Sequence, residues 1–253
     1  MKNLFKTFIA VAFLVGLSSC ENDDENNNNS EEVTTADFHL NFEYVWGMNM
    51  ADFNLNDTLN HPMTGDTLAF TKFQHYISNI KLIKDDGSVW TQEESYYLLD
   101  VNDANSLSIN ITDVPEGMYN AIEITFGVDS TRNVSGAQTG ALDVVNGMFW
   151  SWNTGYIMLK AEGVSPNADG GTFAYHLGGF SGENSVLSTR EFALSSDLMI
   201  HDGHHHAVNF RVNPAKLFHT YGSVSNGSMH MPGENAKIMA DDFNGWINVS
   251  NVE

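Results

Sequence analysis

Three groups of metal-ligating side chains stand out in the sequence. The first is His201-Asp202-Gly203-His204-His205-His206. Asp-Gly signals a hairpin turn. On a strand emerging from it, His204 and His206 are two apart and point to the same side. Imidazole suits copper, zinc and nickel, so this pair could clamp an ion with a third ligand from elsewhere. The alternative is a surface cluster with adventitious affinity. The second group comprises Met48-Asn49-Met50 and Met229-His230-Met231. Methionines two apart can present both thioethers on one side, and soft thioethers select Cu(I) over hard ions. With 11 methionines in the chain, chance spacing of side chains that fill core gaps competes with that reading. The third is His176 in Phe173-Ala174-Tyr175-His176-Leu177-Gly178-Gly179. On a strand, Phe173, Tyr175 and Leu177 share one face, and Ala174 and His176 the other. A lone strand histidine is more often a hydrogen-bonded structural residue than a ligand, so both readings stand.

The segment Gly147-Met148-Phe149-Trp150-Ser151-Trp152-Asn153-Thr154-Gly155-Tyr156 crowds large aromatics between glycines. Such a loop folds back on the core as a plug or lines a site. Other chemistries find little support. There is no His-Glu-x-x-His pattern, no glycine-rich loop with lysine to cradle phosphate, and no Gly-x-Ser-x-Gly elbow. The 32 acids offer many carboxylate pairs, but none stands out as hydrolytic; acidic loops could also hold calcium or a glycan.

The single cysteine, Cys20, ends the run Leu17-Ser18-Ser19-Cys20. Lys2, Lys6 and an apolar stretch from Phe8 to Leu17 precede it. That is the pattern of a secretory signal, too short for a permanent span. Small residues before the cysteine resemble a bacterial lipobox. Residues 1–19 are expected to be removed and Cys20 to carry lipid, anchoring the chain to the outer membrane on its periplasmic or cell-surface face. An ordinary signal cut near a chance cysteine is the alternative. Residues 20–35 are rich in Asp, Glu and Asn and read as a solvated tether. The net charge of −21 repels nucleic acid and favours cations; it also keeps an exported protein soluble.

The elements that must position these residues are strands. Phe38, Leu40 and Phe42 alternate with Asp37, His39, Asn41 and Glu43, the period of a half-buried strand. Similar runs cover Leu68 to Lys84, Tyr96 to Leu99, Leu107 to Ile111, Ala121 to Val128, Tyr156 to Glu162, Thr172 to Leu177, Val186 to Leu194, Ala207 to Val212 and Trp246 to Val249. Turn residues separate them, as in Asp85-Asp86-Gly87 and Pro115-Glu116-Gly117. The pattern predicts one all-β domain over 36–253, an antiparallel β-sandwich with long aromatic and glycine-rich loops. One or two short helical turns are expected, near Pro214 to Phe218 and Glu234 to Met239.

Four stretches together resemble the MbnP-like copper-binding family. They are Tyr76-Ile77-Ser78-Asn79-Ile80-Lys81-Leu82, Thr139-Gly140-Ala141-Leu142-Asp143, Gly147 through Tyr156 with Lys160-Ala161-Glu162-Gly163, and Tyr175-His176-Leu177-Gly178-Gly179. They occur in family order, and the resemblance covers roughly residues 37 to 250. The resemblance implies an exported β-sandwich that holds Cu(I), in preference to Cu(II), with histidines and a tryptophan oxidised to kynurenine. It also implies a di-haem peroxidase as the modifying partner. His176 is the motif histidine that carries over; Trp46, Trp90, Trp150 and Trp152 are all open as the modified residue. Some relatives have histidine near the end of the first strand, where this chain has Tyr44. His39 or the cluster at His204 to His206 could substitute.

The expectation is a copper-binding lipoprotein, not an enzyme, with His176, His204 and His206 as ligands. Met229, His230 and Met231 form a secondary soft site. The competing expectation is a metal-independent envelope module that binds a glycan or a protein.

Overall fold

The computed structural model describes residues 33–136, 138–150 and 155–253. Cys20, the signal and Trp152 lie outside them. Val33–Glu253 form one compact unit.

In chain order the elements are β1 (Thr35–Trp46), β2 (Ala51–Asp52), β3 (Leu59–Asn60), β4 (Thr67–Ile83), β5 (Val89–Thr91), β6 (Tyr96–Asp100), β7 (Ser108–Pro115) and β8 (Gly117–Phe126). After the short α1 (Ser130–Asn133) come β9 (Ile157–Val164), β10 (Thr172–Gly178), β11 (Ser188–Ile200), β12 (Ala207–Val212), α2 (Glu234–Gly245) and β13 (Asn248–Val252).

The fold is an all-β sandwich. One sheet runs β13-β12-β1-β2, with β7 also paired to β1. The other runs β10-β9-β4-β8-β11, with β3, β5 and β6 added to the long β4. The period-two reading of β1 holds: Phe38, Leu40 and Phe42 are buried, while Asp37 is exposed and His39 and Asn41 are half-buried. The inner faces meet through aromatics. Tyr44 crosses Phe73 at 5.9 Å, Trp46 crosses Phe70 at 5.8 Å, and Phe192 crosses Phe210 at 5.1 Å. Edge-to-face contacts of this kind add specific geometry to the area they bury.

Two features depart from the expectation. β1 and β12 pair in parallel, from His39 opposite Ala207 to Tyr44 opposite Val212. They are far apart in sequence and no hairpin joins them, so nothing forces the antiparallel sense. The second is α2, a twelve-residue helix where only a turn over Glu234 to Met239 is expected. Its buried stripe is Ala236, Met239, Ala240 and Phe243. The spacing is helical, but two of the four are alanines, which mute the hydrophobic signal.

The stretches that carry the resemblance hold the frame. Ser78 Oγ donates to Gly127 O at 2.9 Å, Asn79 Nδ2 to Asp129 Oδ2 at 3.1 Å, and Ile80 N to Ser95 Oγ at 3.0 Å. Asn79 has φ 53°, at the irregularity where β4 shifts register against β8. A bulge of this kind bends a strand and frees its polar groups to tie down loops. Tyr76 OH donates to Ala141 O and Tyr156 OH to Leu142 O, which pins the Gly140 to Leu142 segment. Trp150 is buried and folds back on the core. A Cβ on Gly178 would lie 2.5 Å from its ring, so glycine permits that approach.

Candidate metal centre

His176 sits near the end of β10, opposite Lys160 of β9. The other edge of β10 is covered by the extended segment at Ser228 to His230. Ala174 N donates to Ser228 Oγ at 3.0 Å, Met229 N to Ala174 O at 2.8 Å, and His176 N to Met229 O at 2.7 Å. These bonds place Met229 between Ala174 and His176 in register, and His230 therefore falls beside His176. The two rings stand 4.7 Å apart, almost perpendicular at 86°, with Nδ1 to Nδ1 at 3.3 Å.

The other nitrogen of His176 is also fixed. Glu162 lies on β9 opposite Ala174, diagonal to His176 on the same face. Its Oε1 accepts from His176 Nε2 at 2.7 Å. That bond assigns the proton to Nε2 and leaves the Nδ1 lone pair facing His230. The His176 side chain is 18% exposed. Burial lowers its pKa, opposed by the bond to Glu162, while nearby Lys160 and His230 lower it further. Burial thus favours the neutral ring, the form that ligates metal.

The spacing fits a metal. Two nitrogens each about 2.0–2.1 Å from a tetrahedral ion stand about 3.3–3.4 Å apart, and the structure has 3.3 Å. A carboxylate on the remote nitrogen is the usual support of a ligating histidine. Among the described residues, however, no group of three or more His, Cys, Asp or Glu is arranged to hold an ion. The pair is a two-imidazole site.

The remaining expected ligands go elsewhere. His204 and His206 do not share the face of an emerging strand, because β12 begins only at Ala207. His206 is buried, and its Nε2 closes the turn against His201 N at 3.2 Å and His201 O at 2.9 Å. His204 is exposed and stacks on His201 at 4.2 Å. No hydrogen bond or ring contact joins either to His176 or His230. His39 is half-buried and faces His205 at 5.1 Å, in the sheet that lacks β10. Met229 packs against the core, whereas Met231 is exposed. The two thioethers are thus split, though both residues line a cleft of about 480 Å³ with His230. Tyr44 donates to or accepts from His75 Nε2 at 2.7 Å, deep in the sandwich.

Of the candidate tryptophans, Trp46 and Trp150 are buried and Trp90 is half-buried. Trp46 Nε1 donates to Asn60 O at 3.1 Å.

Sequence reasoning gave no role to Glu162 and only a secondary one to His230. The pattern Lys160-Ala161-Glu162 shows which face Glu162 takes. It does not show that β10 lies alongside in the register that makes the pair.

The family model MbnP matches residues 35–237. The solved structure described as MbnP from Methylosinus trichosporium is similar in fold, with a TM-score of 0.53 at 17% sequence identity. The match covers 80% of this chain and 84% of that one. No curated protein matches the chain by sequence.

Proposed function

Since the chain belongs to the MbnP family, we propose that it is a copper-binding protein of the bacterial envelope that sequesters or delivers the ion, not an enzyme. The observation that carries this reading is the approach of His176 Nδ1 to His230 Nδ1 at 3.3 Å, with Glu162 on the far nitrogen. Two imidazole nitrogens suit copper among the first-row metals, and soft thioethers favour Cu(I). Met231 is exposed in the same cleft as His230, which supports Cu(I) over Cu(II). The revised ligand pair is His176 and His230; His204 and His206 drop out. Affinity falls as pH drops, because protons compete for the same lone pairs.

The lipobox-like start supports an anchor at Cys20 and a place at the outer membrane, facing the periplasm or the cell surface. A di-haem peroxidase acting on a tryptophan is the partner the family resemblance implies. Intact mass of native protein reads the lipid and any tryptophan oxidation together.

The test is Cu(I) titration under reducing conditions against a competing chelator, on protein without a histidine tag. His176→Ala and His230→Ala should each abolish tight binding, and His204→Ala should leave it unchanged. Tight binding that survives loss of both His176 and His230 overturns the assignment. A protein that takes up no copper at all returns the reading to a metal-independent module. One observation favours that alternative: no group of three or more His, Cys, Asp or Glu is arranged to hold an ion among the described residues.

A further inference from the structure

A second cavity, which shares no lining residue with the cleft at His230, collects side chains that the metal site does not use. It has a volume of about 410 Å³ and is bounded by Met48, Met50, Arg211, Lys216, Trp246 and Val249. Pockets that enclose small organic ligands begin near about 300 Å³ and are mostly apolar with a few convergent polar groups.

The floor is preorganised. The turn after β1 carries Gly47 at φ 70° and Met50 at φ 52°. The second is an uncommon conformation for a non-glycine residue. Asn213 braces the start of this turn. Its side chain is buried, its Oδ1 accepts from Gly47 N at 3.2 Å, and its Nδ2 donates to Gly47 O at 2.9 Å. Its Oδ1 also accepts from Ala215 N at 3.3 Å, fixing the turn that bears Lys216. One buried amide thus ties the methionine wall to the lysine wall.

The surface so held is unusual for this chain. Met48 is 80% exposed, Met50 49% and Trp246 46%. The chain has 32 acids against 11 Lys and Arg, yet among the described residues no carboxylate lines this cavity while two cations do. Lys216 Nζ lies 3.4 Å from the centroid of the Trp246 ring. Arg211 Nε is held by Glu43 at 3.1 Å. The charge decides between two occupants. Thioethers alone would suit Cu(I), but Lys216 beside them repels a metal cation, Arg211 being already paired with Glu43. Lys216 attracts an anion.

We propose that this cavity binds a small organic anion with a flat apolar body, its charge on Lys216 and its body against Met48, Met50 and Val249. Polarisable methionine thioethers adapt to such a body. The proposal is independent of the copper reading.

The test uses NMR of the full domain with labelled methionine methyls and the tryptophan indoles. The probes are 2-naphthoate, neutral naphthalene-2-methanol and Cu(I). Naphthoate should shift the Met48, Met50 and Trp246 signals at concentrations where naphthalene-2-methanol does not. Lys216→Gln should weaken naphthoate by roughly fivefold, the scale of one half-exposed ion pair, and leave the neutral probe unaffected. Met48→Ser/Met50→Ser should weaken both probes. Equal binding of charged and neutral probes, no shift with naphthoate, or Cu(I) displacing naphthoate from Met48 and Met50 each overturns the proposal.

Discussion

Glu162 grips the Nε2 proton of His176 at 2.7 Å from the adjacent strand. The bond sets the tautomer and the ring plane together, so the opposite nitrogen is presented to His230 rather than to solvent. Glu162→Gln keeps the shape and removes the charge. In the copper reading it should weaken Cu(I) affinity by about 10–100-fold, the usual effect of losing such a support, with little change in thermal stability. Chelator competition at fixed pH reads it. An unchanged affinity would show that the carboxylate does not act on the ion.

His206 and His204 separate structure from surface. His206→Ala removes the buried ring whose Nε2 bonds the His201 backbone, at a cost of about 0.5–3 kcal/mol. His204→Ala, on an exposed ring, should stay within about 0.5 kcal/mol of the parent. Urea unfolding measures both, and neither variant should change Cu(I) binding.

The core pair Tyr44 and His75 makes stability depend on pH. Burial brings the His75 pKa down to about 3, against about 6.5 for histidine in an unfolded chain. Between those values the unfolded state binds the extra proton. Stability therefore rises with pH and is lost as pH falls below about 6.5, with a slope approaching about 1.4 kcal/mol per pH unit. His61 and His176, both lowered mainly by burial, act in the same sense. Tyr44→Phe/His75→Phe removes donor and acceptor together, which a core tolerates far better than removing one. Urea unfolding between pH 7 and 5 should show a shallower slope in the double variant. Parallel slopes would place the dependence in other groups.

Gly178→Ala tests the packing of Trp150 on β10. The added methyl would meet the indole at 2.5 Å and Tyr156 O at 2.8 Å. Overpacking of this kind costs about 1–3 kcal/mol. The variant should melt earlier, with a changed near-ultraviolet signal from the displaced tryptophan.

The sequence by itself determined the long strands and the faces within them, though not the short β2, β3 and β5. Alternation from Phe38 to Phe42 is enough for β1, and the same period puts His176 and Ala174 on one side of β10. It also marked His176 as the motif histidine. Only the tertiary structure decided which imidazole stands beside it. His230 is 54 residues away and is brought in by backbone bonds to the edge of β10, whereas His206 turns inward to close its own loop. Strand period fixes the direction of a side chain because successive Cβ atoms alternate. Which strands become neighbours, and in what register, is set by long-range pairing and burial that no local pattern encodes.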